Sequence, residues 1–126
     1  MGGRKSQRKP VVFVVDDEPV ICQTIAIILN EDDYDAVAFD DPLKAMEASE
    51  QTTPELLISD VMMPGMTGIE LAIKFREQHP ECKVLLFSGQ DETFDLLVRA
   101  LAKGYDFHLL TKPVHPKDLL SKLRTI

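Results

Sequence analysis

Five short apolar runs, each ending in polar, Gly or Pro residues and each followed by apolar residues at helical spacing, constrain this chain more than any other feature. Val11 to Val15 is a continuous β-branched and aromatic run, the signature of a strand covered on both faces. It ends at Asp16-Asp17-Glu18-Pro19. Pro19 suits the first turn of a helix, along which Val20, Ile21, Ile25, Ile28 and Leu29 recur. Tyr34 to Phe39 offers a second strand, Asp40-Asp41-Pro42 a helix start, and Leu43 to Ser49 a short amphipathic helix. The third run, Leu56 to Ile58, stops at Ser59 and Asp60 and meets Pro64, Gly65 and Gly68. A helix carrying Ile69, Leu71, Ala72, Ile73 and Phe75 follows and ends near Pro80. Lys83 to Phe87 makes the fourth strand, ending at Ser88-Gly89, and Glu92 to Lys103 a helix stopped by Gly104. Phe107 to Leu110 makes the fifth, followed by Thr111-Lys112-Pro113 and a last helix from about Pro116.

Strand-then-helix units in this number imply an α/β fold, a doubly wound parallel sheet with helices on both faces and right-handed crossovers. Eight such units would be needed for a barrel. The flavodoxin-like (βα)5 solution has strand order 2-1-3-4-5, and its ligand crevice lies outside the carboxyl ends of strands one and three. Asp16, Asp17 and Asp60 are thereby expected at one place. The 126 residues suit one domain, expected over residues 10–126. Residues 1–9 hold the basic cluster Arg4, Lys5, Arg8 and Lys9 and read as a disordered tail without a specific role.

An aspartate before a Pro-Gly loop ordinarily caps a turn. The rest of the chain changes that reading, because other strand ends carry acids, a hydroxyl and a lysine. Three carboxylates at one crevice repel each other unless a cation joins them, and all-oxygen ligation with positions left for water suits Mg2+. Ser88 brings a hydroxyl at the end of the fourth strand, and Gly89 leaves room for a ligand beside the backbone. Lys112 brings a cation at the end of the fifth. A carboxylate nucleophile, a metal, a hydroxyl donor and an ammonium are the parts required to move a phosphoryl group onto an aspartate. Pro113, directly after Lys112, is in a position where a cis bond would fix the direction of that lysine.

The net charge of −7 argues against a nucleic-acid-binding surface, which needs clustered Lys and Arg. No apolar stretch approaches the roughly 20 residues of a membrane span, and no signal region follows the basic tail, so a cytoplasmic protein is expected. Cys22 and Cys82 have neither metal-ligand nor redox-pair spacing and read as reduced packing residues.

With these residues in view, the sequence closely resembles the receiver domain of bacterial two-component response regulators from Val11 to Leu123. The matching motifs are Val-Asp-Asp-Glu at 15 to 18, Asp-Val-Met-Met-Pro-Gly-Met-Thr-Gly from Asp60 to Gly68, Ser88-Gly89 and Lys112-Pro113. The resemblance implies that Asp60 accepts a phosphoryl group from a sensor histidine kinase, a phosphotransfer protein or a small phosphodonor. It implies that Asp17, Asp60, the Met62 backbone carbonyl and, through water, Asp16 hold Mg2+, and that Ser88 and Lys112 contact the phosphoryl oxygens. It also implies a signalling switch that catalyses only its own phosphorylation and dephosphorylation. The output surface would be formed by the fourth helix, fifth strand and fifth helix, for partner binding or a homodimer.

In that family the residues two after the phosphoacceptor and two after the hydroxyl tune hydrolysis of the aspartyl phosphate; here they are Met62 and Gln90. Met62 cannot orient water by hydrogen bonding, so slow hydrolysis is expected. The family's switch aromatic, three residues before the lysine, is here Leu109. Phe107 shares strand parity with Leu109 and is a candidate aromatic contact, while His108 should face the other side. Gly104 sits one residue farther from the lysine than is usual, so an extended loop is expected.

Three other classes are less suited. A phosphohydrolase of the haloacid dehalogenase type carries a second aspartate two positions after its nucleophile, where this chain has Met62. A flavodoxin-like cofactor binder would set a flavin phosphate against three carboxylates. A fixed interaction module without phosphorylation would not need the whole acid, hydroxyl and lysine set.

Overall fold

The computed structural model describes residues 8–89 and 93–126. Five strands alternate with five helices: β1 (Val11–Val15), α1 (Pro19–Asn30), β2 (Asp35–Phe39), α2 (Pro42–Ser49), β3 (Leu56–Asp60), α3 (Gly68–Gln78), β4 (Lys83–Ser88), α4 (Thr93–Ala102), β5 (His108–Thr111) and α5 (Pro116–Thr125). The strands form one sheet in the order β2-β1-β3-β4-β5, every neighbouring pair parallel. This is the doubly wound flavodoxin-like sheet that the alternation of runs predicts.

Local chemistry explains the element ends. Pro19, Pro42 and Pro116 stand in the first turns of α1, α2 and α5, where a missing N–H leaves no hydrogen bond unmade. The Asp41 carboxylate accepts from the Leu43 N–H at the start of α2. Thr67 and Glu70 form a reciprocal capping box that begins α3, a device that stabilises a helix by about 1 kcal/mol. At Gly104, φ is 95°, a left-handed turn that ends α4.

Strand alternation divides the core into two layers. Phe13, Val15, Leu57 and Leu86 face α2, α3 and α4, packing with Ala45, Leu71, Phe75 and Ala100. Val12, Val14, Ile58, Leu85 and Phe87 face α1 and α5, packing with Cys22, Leu29, Leu119 and Leu123. β3, at the centre, is buried along its whole length, which is why its sequence is apolar on both faces. Each fully buried Leu, Val or Phe contributes about 1.5–3 kcal/mol relative to exposure. Among the described residues no helix is long and apolar enough to cross a membrane.

Several boundaries differ from the sequence expectation. β2 begins at Asp35 rather than Tyr34, because the Tyr34 N–H donates back to the Leu29 carbonyl in the turn that closes α1. β5 runs from His108 to Thr111 rather than from Phe107 to Leu110. Its pairing with β4 starts at His108 opposite Leu85, while the Phe107 ring is drawn onto Tyr105 and Arg76. α4 is described from Thr93, so the predicted start at Glu92 lies outside the described residues, as do Gln90 and residues 1–7. Arg8 and Lys9 are exposed and belong to no element.

Candidate functional site

The carboxyl ends of β1 and β3 meet in the crevice where the connections diverge to opposite faces of the sheet. Asp16 directly follows β1, its N–H donating to the Phe39 carbonyl at 3.1 Å. One carboxylate oxygen, Oδ1, accepts from the Glu18 N–H at 2.9 Å. The other, Oδ2, is buried and has no hydrogen-bond partner among the described residues. Asp60 is the last residue of β3 and is 7% exposed. Asp17 is exposed beside them, and ligand atoms of Asp16, Asp17 and Asp60 lie within 4.8 Å of one another. The three acids that the sequence places at two strand ends are one cluster.

Charge in this cluster is only partly balanced. Lys112 Nζ lies 3.0 Å from Asp60 Oδ2. Three carboxylates against one ammonium leave two negative charges in the crevice, the complement of a divalent cation. Burial pushes the Asp16 carboxyl above its ordinary range, and the neighbouring Asp60 and Asp17 charges push the same way; the Glu18 N–H and Lys112 oppose them. A buried carboxylate oxygen without a donor, in a cluster of hard oxygen ligands, fits Mg2+ by donor chemistry. Asp16, Asp17 and Asp60 are the groups available to hold it.

A small cleft of about 120 Å³ opens beside the cluster, lined by Asp60, Val61, Met62, Phe87, Ser88, Gly89 and Lys112. Ser88 ends β4 and is buried. Its carbonyl accepts from the Lys112 N–H at 3.0 Å, tying the ends of β4 and β5 together. A Cβ on Gly89 would come 3.3 Å from the Lys112 Cβ, so glycine lets the lysine stem pass. The Lys112–Pro113 peptide bond is cis. Met62 stands at the rim with 46% of its surface exposed.

Other expected residues lie away from the cleft. Leu109 stands opposite Leu86 on the α2–α4 face and is 36% exposed. Phe107 shares that face but is buried before β5 begins, stacked on Tyr105 with ring centroids 5.7 Å apart. The Arg76 guanidinium lies 5.4 Å over the Phe107 ring, a cation–π contact that holds the aromatic at the far end of the strand. Exposed His108 is paired with Leu85 and so faces the α1–α5 side, as its parity predicts. Gln90 lies outside the described residues.

Two residues beneath the cluster, visible in the sequence motif, had no role assigned from the sequence. Gly68, the first residue of α3, packs so closely that a Cβ there would overlap the Asp60 carbonyl oxygen. Ser59 is fully buried and donates its hydroxyl to that same carbonyl at 2.9 Å. The sequence signal was present in Gly68 itself, a poor helix former just after the capping threonine.

The model of the response regulator receiver domain matches residues 12–124. The chain is 31% identical over 98% of its length to a Mycobacterium tuberculosis protein named "Probable transcriptional regulatory protein TcrX", covering 52% of that protein. It is 31% identical over 91% of its length to the alkaline phosphatase synthesis transcriptional regulatory protein PhoP of Bacillus subtilis, covering 47% of it. The chain thus spans about half the length of these curated relatives. Among solved structures, the chemotaxis protein CheY4 of Vibrio cholerae superposes with a TM-score of 0.83 at 27% identity, over 94% of this chain and 98% of that one. Sequence match, sheet order and the acid cluster agree, and the chain belongs to the response regulator receiver domain family.

Proposed function

We propose that Asp60 is the phosphoacceptor of this receiver domain and that a sensor histidine kinase, a phosphotransfer protein or a small phosphodonor supplies the group. The observation that carries this reading is the 3.0 Å approach of Lys112 to Asp60 within a cluster of three acids, beside a cleft that also holds Ser88. An Asp60 oxygen attacks phosphorus; an O–P bond forms as the P–N bond to the donor imidazole breaks, and the electron pair leaves with the nitrogen. Lys112 then moves its ion pair from the bare carboxylate to a phosphoryl oxygen, and the Ser88 hydroxyl donates to another. Asp16, Asp17, Asp60 and the Met62 carbonyl would hold Mg2+, which would supply charge neutralisation for the phosphoryl oxygens. Water later cleaves the acyl phosphate and regenerates Asp60.

The same reading makes the protein a switch rather than a metabolic enzyme. The added charge biases a two-state surface formed by α4, β5 and α5. Phe94, Val98 and Leu101 are exposed along α4, and Leu109 is exposed on β5, a surface suited to a partner or to a second copy. A net charge of −7 argues against direct nucleic-acid binding by the domain itself.

Intact mass after incubation with Mg2+ and acetyl phosphate, then with phosphorylated histidine kinase, tests the proposal. One phosphoryl adduct that vanishes in Asp60→Asn and with chelator is expected. No adduct from either donor in folded, Mg2+-loaded protein would overturn it in favour of a fixed interaction module.

A further inference from the structure

The backbone carbonyl of Asp60 is held by two neighbours that also touch each other. The Ser59 side chain, which has no exposed surface, donates its hydroxyl to the Asp60 carbonyl oxygen at 2.9 Å. Gly68 packs against the same carbonyl and against Ser59 Oγ, leaving no room for a Cβ beside either oxygen. The Gly68 N–H donates to the Val61 carbonyl at 2.8 Å, and the Val61 N–H donates to Phe87 at 3.0 Å. The capping box at Thr67 and Glu70 anchors the helix that carries Gly68. The peptide units leaving Asp60 are therefore fixed by a side chain on β3, by β4 and by the first turn of α3.

We infer that Ser59 and Gly68 form a backbone latch that sets the direction of the Asp60–Met62 segment, making Ser59 a positioning residue for cation binding and phosphoryl uptake. The inference rests on the proposed role of Asp60 and deepens it. Two ligands assigned to the cation, the Asp60 carboxylate and the Met62 carbonyl, lie on that segment, so rotation of its peptide planes moves both. Mg2+ demands near-ideal octahedral geometry, so a small rotation is costly in affinity. A buried carbonyl that loses its donor turns to find another. The Ser59 hydroxyl bonds the backbone and is not among the residues that line the cleft, so it acts through the backbone of its neighbour.

The test measures Mn2+ affinity of the full chain by water-proton relaxation and phosphoryl uptake from acetyl phosphate by intact mass. Wild type is compared with Ser59→Ala, which removes the donor, and with Ser59→Cys, which is somewhat larger and donates poorly. Both variants should melt cooperatively in chelator yet bind Mn2+ roughly three- to tenfold more weakly, the loss of one hydrogen bond, with uptake slowed in parallel. Wild-type affinity and rate in both variants would overturn the latch while leaving Asp60 as phosphoacceptor. A wild-type protein that neither binds Mn2+ nor takes up phosphoryl would overturn the latch and the phosphoacceptor reading together.

Discussion

α3 and α4 cover the same face of the sheet and differ in how they do it. α3 buries Ile69, Leu71, Ala72 and Phe75 against the core, begins in a capping box and closes on the backbone of Asp60. Among the described side chains of α4 only Ala100 is buried, while Phe94, Val98 and Leu101 are exposed along one side. The helix that touches the acid cluster is pinned at its start, and the one beside it packs through Leu96, Leu97 and Ala100 while leaving apolar surface in water. Chemistry that depends on sub-ångström placement needs the first kind of support, and a surface that must change state needs the second.

Core truncation should separate the two helices most sharply. Phe75 is 1% exposed and meets Phe13 edge-on, ring centroids 6.3 Å apart; Phe75→Ala should cost about 3–5 kcal/mol in urea unfolding. Phe94→Ala, at 66% exposure, should fall within about 0.5 kcal/mol of wild type. Similar losses at both positions would break the contrast.

Smaller effects come from charge on the locked side. Asp16→Asn keeps the acceptor for the Glu18 N–H and removes a buried charge that two other acids oppose. In chelator this variant should be more stable than wild type, by on the order of 1 kcal/mol. With Mg2+ the order should reverse, because a cation bound at the proposed site would stabilise the native wild-type cluster. Loss of stability in chelator would mean that Asp16 is not under strain.

Cys82 titrates at the outer end of the same half. Burial pushes its thiol up to about 11 from 9.0. The folded state therefore holds the proton over a range in which the unfolded chain has released it, so stability falls as pH rises from about 9 towards 11. Between pH 8 and pH 10 wild type should lose about 1 kcal/mol more than Cys82→Ala; parallel pH profiles would contradict this. Met62→Asn, at the exposed rim of the cleft, should speed loss of the phosphoryl group a few-fold, as a polar side chain there can orient water. An unchanged or slower rate would refute that assignment.

These elements also show what the sequence could and could not display. Strand ends are local features, so the alternation of apolar runs and polar stops located Asp16, Asp17, Asp60, Ser88 and Lys112, and the sheet order brought the three acids together. Contacts made across the chain left weaker traces. Arg76 over Phe107 joins α3 to the approach of β5, a pairing that no periodicity encodes, and β5 itself begins one residue later. Ser59 read as part of a polar strand end, whereas its hydroxyl is turned onto the backbone of its neighbour. A buried serine and an exposed one look alike in a sequence.

Amide hydrogen exchange before and after phosphoryl loading, with Asp60→Asn as the control, tests the division between the two helices most directly. Protection should change through α4 and β5 and stay constant in β1, β3 and α3, with no change anywhere in the variant. A change spread evenly over the sheet, or confined to α1 and β2, would contradict a locked chemical half coupled to a loosely covered reporting surface.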